Sequence, residues 1–442
     1  MEIVEGKFNG PKKALEDTIF SISIDSRTIN KDDLYIAIEG VNYDGNQFVK
    51  DAMKNGAKFS IVSDPEVNYE GTILVSSGRE SLIKIASRIR EKFQPKVIAI
   101  TGSNGKTTTK EIIVSILKNY CDEEQILFTK GNFNNDIGLP LTMLDLNKSH
   151  KYVVLELGMN HAGEIADLSK IAQPHVAVIT NIGEAHIENF KSKYNIAEAK
   201  KEILSHSNKL EFAVLPSDDY YFTFLNEGGS NLNKVTFGSL EESTISYKAS
   251  EDRKIKIVTP KESFNVKINL LGTHNLQNVL AACACCYALD IPIHAIKSGI
   301  EKIKPFPGRL ETISAVKGAT IIDDSYNANP SSMKEAIDVL LLMKGTRVLV
   351  IGDMAELGDD TNKYHQELGD YIQASKIDFT LAIGRHTKLT MQQLGKKEFW
   401  FDSKDALVSK LLKVMDSKST VLVKGSRFMK MEDIVNKLKV EK

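Results

Sequence analysis

Apolar residues along this chain gather in short blocks separated by amphipathic intervals of helix length, the rhythm of alternating strands and helices. DLYIAIEG at 33–40 predicts a strand, 45–55 a helix and 58–63 a second strand, a small first α/β unit. After an amphipathic helix over 81–93, Gln94 and Pro95 break the pattern, and a first boundary is expected near residue 95. VIAIT (97–101), YVVLEL (152–157), HVAVIT (175–180) and FAVLP (212–216) lack the polar alternation of half-exposed strands. They predict a doubly wound, mostly parallel central sheet buried on both faces. Residues 235–270 do alternate, as in Lys254-Ile255-Lys256-Ile257, and predict an antiparallel β subdomain. Helical periodicity returns at Asn275, and Pro305, Pro307 and Gly308 mark a linker over 303–309. Strand blocks at 319–324, 347–352, 379–384 and 419–425 then alternate with helices in a third α/β unit. The expected domains are 1–95, 96–307 and 308–442.

The length of 442 residues agrees with three domains at about 150 residues each. Charge narrows the ligands: 57 Lys plus Arg against 58 Asp plus Glu leave a net charge of -1, with no basic field for nucleic acid or an anionic membrane. Any anionic ligand must be held by local groups. No run approaches the roughly 18–20 apolar residues of a membrane span, and MEIVEGKFNG lacks the features of a signal peptide, so a cytoplasmic protein without membrane insertion is expected. The four cysteines are Cys121 and a cluster at Cys283, Cys285 and Cys286, which reads as small residues packing a buried helix in a reducing compartment.

The chemistry begins at Gly102-Ser103-Asn104-Gly105-Lys106-Thr107-Thr108, directly after an apolar strand and before a helical pattern over 109–120. Glycines let backbone N–H groups turn toward phosphate oxygens, and a helix N-terminus adds partial positive charge. Lys106 can reach terminal phosphates, and the Thr107 hydroxyl can bind Mg2+. The usual first glycine is displaced, because position 100 is Ile. Glu156 ends the strand YVVLEL where a carboxylate would face the loop.

With GNFNNDIGLPLT, ELGMNHAGEIADL, ITNIGEAHIENF, GTHNLQN, PGR, DDSYNANP, GDMAELG and KGSR, this loop resembles the Mur ligase family in order and spacing over nearly the whole chain. The resemblance implies an amino-terminal domain holding the UDP end of a precursor, a central ATPase domain and a Rossmann-like carboxyl-terminal domain. DDSYNANPSSM and GDMAELG are most similar to members that join D-alanyl-D-alanine to UDP-N-acetylmuramoyl tripeptide, with ATP and Mg2+ as cofactors and a monomer expected. It places Lys106 on the phosphates, Thr107 and Glu156 on one Mg2+, His186 on a second, and Arg309 near the γ-phosphate. Lys200 corresponds to a lysine that relatives carry as a carbamate, with Lys201 as the adjacent competitor. Asn275 and Asn278 would read adenine and Asp324 the ribose, while Tyr326 stands where some relatives have lysine. Asp25, Ser26 and Arg27 would hold the uridine diphosphate, and Asn134 and Asn135 the muramoyl part. Asn327, Asn329 and Asp353, with Glu356 nearby, are the candidates for D-alanyl-D-alanine.

Two other readings remain open on the sequence. One is a different Mur or folylpolyglutamate-type ligase. The other is a phosphate-loop switch, although Asn147-Lys148-Ser149-His150 lacks the aspartate that reads guanine.

Overall fold

Strand Lys96–Thr101 explains the missing alternation: Val97 and Ala99 pack into one hydrophobic cluster, Ile98 and Ile100 into another on the opposite face. The computed structural model describes residues 3–40, 42–249, 254–394 and 398–440. Among these the central sheet has six parallel strands, in the order Asn233–Phe237, Phe212–Pro216, Val176–Ile179, Lys96–Thr101, Tyr152–Glu156 and Ile126–Phe128. Helices Lys106–Leu117, Thr273–Ala288 and Ile293–Lys302 cover one face. Gly78–Lys92, Gly138–Leu144, Glu164–Ala172 and Lys193–Lys201 cover the other. The doubly wound sheet expected from the apolar blocks is therefore present.

One expectation is corrected at its edge. The polar alternation from Val235 suggested antiparallel pairing, but Asn233–Phe237 pairs in parallel with Phe212–Pro216. An edge strand meets solvent on one side, so its pattern resembles that of a half-exposed strand. The antiparallel subdomain is the three-stranded sheet Ser246–Ala249, Ile255–Val258 and Ser263–Val266.

The first sheet runs Lys7–Asn9, Thr72–Leu74, Ala57–Val62, Asp33–Ile36 and Ile22–Ser23, parallel except for its first strand. The last runs Glu311–Ser314, Thr320–Asp324, Ser419–Lys424, Thr346–Gly352, Phe379–Ile383 and Glu398–Phe401, again with only the first strand antiparallel. Cys283, Cys285 and Cys286 are buried free thiols in helix Thr273–Ala288. Burial pushes the Cys283 thiol up to about 12, far from a reactive thiolate. Among the described residues no helix is long and apolar enough to cross a membrane.

Candidate functional site

The loop after strand Lys96–Thr101 is shaped by two close approaches. A Cβ on Gly102, whose φ is +152°, would stand 1.8 Å from Thr180 Oγ1. One on Gly105, at φ +80°, would stand 2.1 Å from Asn278 Oδ1. Helix Lys106–Leu117 begins at once after Gly105, three residues earlier than the apolar periodicity indicated, so its first turn is part of the loop. The neighbouring strand end holds the loop: Ser103 Oγ accepts the Gly183 amide at 2.8 Å, and Asn181 Oδ1 accepts the Asn104 amide at 2.9 Å. Lys106 Nζ donates to the Gly102 carbonyl at 2.7 Å. Burial pushes its ammonium below the usual range, and the Glu156 charge pulls it partly back.

Glu156 ends strand Tyr152–Glu156, the neighbour of the loop strand, and its Oε2 accepts the Thr107 hydroxyl at 3.0 Å. Arg309, from the segment after the central unit, donates to the same hydroxyl oxygen at 3.0 Å and stacks on the Tyr326 ring at 4.3 Å. A hydroxyl and a carboxylate side by side are hard oxygen donors that suit Mg2+, which completes its shell with phosphate oxygens and water. Among the described residues no cluster of three His, Cys, Asp or Glu forms a ready cage. A Mg2+ ion held jointly with a phosphate does not need one.

A cavity of about 300 Å³ opens between this loop and the last α/β unit. Ser103, Asn104, Gly105, Lys106, Thr107, Thr108 and Glu156 line one wall. Asp324, Asn327 and Asn329 line the opposite wall, with Arg309 between. Direct bonds cross the cleft: Asn104 Nδ2 donates to Ser331 Oγ at 3.0 Å, and Asn329 Nδ2 to Asn104 Oδ1 at 2.8 Å. Asn329 is also the N-cap of helix Pro330–Leu341, in a capping box with Ser332. His186, at φ +61° before helix Ile187–Phe190, brings Nδ1 to 2.7 Å from Glu356 Oε2, a contact that holds the Glu356 carboxyl below its usual range.

Asn275 and Asn278 reach the cavity from helix Thr273–Ala288 and bond to each other, Nδ2 of Asn278 to Oδ1 of Asn275 at 3.0 Å. Asn275 is not the cap of that helix; Gly272 is, and Asn275 Nδ2 donates back to the Leu271 carbonyl. Asn134 and Asn135 also line the cavity. Asn135 Oδ1 accepts the Gly138 amide at 2.8 Å, which fixes the start of helix Gly138–Leu144.

Six of the expected site residues stand apart from the cavity wall. Gly102 contributes only its carbonyl to Lys106. Lys200 is 2% exposed, and burial, with the Lys106 charge second, pushes its amine well below the usual range. Lys201 is distinguished from it, with Nζ 3.9 Å over the Phe224 ring. Asp25, Ser26 and Arg27 lie in a loop of the first unit, where Arg27 bonds to both Asp25 oxygens and holds that carboxyl down at about 2. Asp353 does not line the cavity: its Oδ1 accepts the His386 and Thr387 amides at 3.0 and 2.8 Å, at the start of helix Thr387–Gln392. Glu356, three residues on, faces the cavity instead.

Lys424 was missed. It ends the fully buried strand Ser419–Lys424, lines the cavity, and binds Asp324 Oδ2 at 2.6 Å and the Asn327 carbonyl at 2.8 Å. The available signal was a lone charge closing an apolar strand.

A glycine-shaped loop, a carboxylate at the next strand end and an arginine arriving from outside define a phosphate-loop protein whose site is completed by a second α/β domain. Residues 18–101 match the Mur ligase family, catalytic domain; residues 100–286 the Mur ligase middle domain; and residues 308–427 the Mur ligase, glutamate ligase domain. UDP-N-acetylmuramoyl-tripeptide--D-alanyl-D-alanine ligase of Haemophilus influenzae is 33% identical over 99% of this chain and 97% of its own. The crystal structure I of MurF from Acinetobacter baumannii superposes with a TM-score of 0.91 at 34% identity, covering 99% of this chain and 96% of that one. MurF from Thermotoga maritima in complex with ADP gives 0.84 at 29% identity, over 96% and 98% of the two chains. The chain belongs to the Mur ligase family.

Proposed function

We propose that the protein is an ATP-dependent ligase that joins D-alanyl-D-alanine to UDP-N-acetylmuramoyl tripeptide in cytoplasmic peptidoglycan precursor synthesis, working as a monomer with domains 1–95, 96–307 and 308–442. The observation that carries this reading is the meeting of Glu156, Thr107 and Arg309 at the loop's helix, which joins three separate segments and supports a terminal phosphate and its Mg2+ being held there. The names of the relatives supply the two substrates, and the ADP complex of one of them supports the nucleotide.

The precursor's terminal carboxylate attacks the γ-phosphorus of ATP, ADP departs, and an acyl phosphate forms. The amine of D-alanyl-D-alanine then attacks the acyl carbon, and phosphate leaves with one of the original carboxylate oxygens. Two anions approach in the first step, so Lys106 and Arg309 serve by spreading charge and alignment rather than as nucleophiles. Thr107 and Glu156 would hold Mg2+, and His186 a second ion; bound there, Mg2+ supplies further charge neutralisation. A neutral Lys200 amine can take up CO2 to become an anionic carbamate, and its burial beside the Lys106 charge favours the neutral form this needs. Asn275 and Asn278 would read adenine, Asp324 the ribose, Asp25 to Arg27 the uridine diphosphate, Asn134 and Asn135 the muramoyl part, and Asn327 and Asn329 the incoming dipeptide.

Phosphate release measured with each UDP-muramoyl precursor and each candidate amine tests the reading. Release is expected only when the tripeptide precursor and D-alanyl-D-alanine are both present. Release indifferent to either would mark a switch, and preference for a single amino acid a different ligase.

A further inference from the structure

Lys110, two residues beyond the phosphate loop, has no part in the reaction described above. It sits one turn beyond Lys106 on helix Lys106–Leu117 and is 1% exposed. A lysine so buried needs partners. Its Nζ donates to the Thr129 carbonyl at 2.6 Å and lies 3.0 Å from Glu111 Oε1 and 3.2 Å from Glu156 Oε1. Thr129 Oγ1 in turn accepts the Glu156 amide at 3.0 Å, so helix and both strand ends are fixed together.

The two oxygens of Glu156 are consequently unlike. Oε2 meets the Thr107 hydroxyl. Oε1 is closed off from solvent, has no hydrogen bond, and has the Lys110 ammonium beside it.

We infer that Lys110 is a positioning residue that restricts Glu156 to coordination through one oxygen, and so makes the site discriminate for Mg2+ against Ca2+. The inference rests on Glu156 being a metal ligand, as proposed above. Mg2+ keeps a tight octahedron of about six ligands, to which a carboxylate gives one oxygen; Ca2+ takes roughly six to eight and readily accepts both. Turning Oε1 toward a cation would break the ion pair with the one carboxylate as buried as Lys110 itself, leaving that buried charge only Glu111 and the Thr129 carbonyl as partners.

The test uses the full-length protein with ADP. Mg2+ and Ca2+ compete separately against Mn2+, whose bound fraction is read by paramagnetic resonance, in wild type, Lys110→Met, Lys110→Gln, Lys110→Arg and Glu156→Gln, each checked by thermal melting. The wild type should prefer Mg2+ in a Glu156-dependent way. Lys110→Met should move the Ca2+ to Mg2+ affinity ratio toward Ca2+ by about tenfold or more. Lys110→Gln, which keeps an N–H for Thr129, should move it the same way, and Lys110→Arg should leave it near wild type. Equal weakening of both ions in a folded Lys110 variant overturns the inference while leaving Glu156 as a ligand, and so does a wild type that binds Ca2+ as tightly as Mg2+. Wild-type ion binding in Glu156→Gln overturns the metal-ligand reading itself.

Discussion

Replacing Gly102 by alanine tests whether the loop's shape is set by its contact with the next strand. An alanine at φ +152° occupies backbone space open mainly to glycine, and its Cβ would stand 1.8 Å from Thr180 Oγ1. The backbone part costs about 1–3 kcal/mol. Overpacking adds about 1–3 kcal/mol, for a total of roughly 2–6 kcal/mol. Thr180→Ala alone gives up the bond from Oγ1 to the Asn104 carbonyl at 2.6 Å. That loss costs about 0.5–1.5 kcal/mol. In the double variant the hydroxyl is gone, the nearest Thr180 atom is Cβ at 3.0 Å, and the overpacking part should largely vanish. The cycle should therefore show a favourable coupling of about 1–3 kcal/mol. Urea titration followed by far-ultraviolet circular dichroism suits the measurement, because the single tryptophan, Trp400, lies in the last sheet and would miss the central one. Additivity within about 0.5 kcal/mol would refute the argument that the Thr180 approach demands glycine.

Three further outcomes are expected. Lys200→Ala should lose activity by about 10–100-fold or more, with partial recovery in acetate, whereas Lys201→Ala gives up a ring contact of about 0.5–1 kcal/mol and should turn over nearly normally; the reverse pattern in a turnover assay would give the carbamate to Lys201 instead. Asp324→Ala leaves Lys424 buried with only the Asn327 carbonyl as partner and should cost about 3–5 kcal/mol, read by Trp400 fluorescence on denaturation, with Asp324→Asn milder. Burial pushes His175 down to about 4 from the usual 6.5, so between those pH values the unfolded chain binds more protons and stability falls on acidification. His175→Gln, which can still accept the Val97 amide, should reduce that slope, and an unchanged slope would reject the assignment.

How far the sequence carries is visible residue by residue. Strand blocks such as 97–101 and 212–216 were legible because a sheet covered on both faces must be apolar throughout. The edge strand Asn233–Phe237 was not, since one exposed side imposes the same alternation as antiparallel pairing. At the site, Lys106, Thr107 and Glu156 could be read from strand, loop and helix in order. Asp353 could not, because whether a carboxylate faces a cavity or caps a helix depends on a segment 33 residues away, at His386. Lys110 looks like a surface charge in the sequence and Lys424 shows only as a lone charge closing an apolar strand; the acidic partners Glu156 and Asp324, far away in sequence, reveal what each one meets.

In this cleft ATP is to drive amide formation through an acyl phosphate. The most direct test is oxygen transfer: UDP-N-acetylmuramoyl tripeptide labelled with oxygen-18 in both terminal carboxylate oxygens, turned over with ATP, Mg2+ and D-alanyl-D-alanine, with the phosphate analysed by mass spectrometry. One heavy oxygen is expected in each phosphate released and one in the new amide carbonyl. Unlabelled phosphate, with both heavy oxygens still in the precursor's carboxylate, would contradict it.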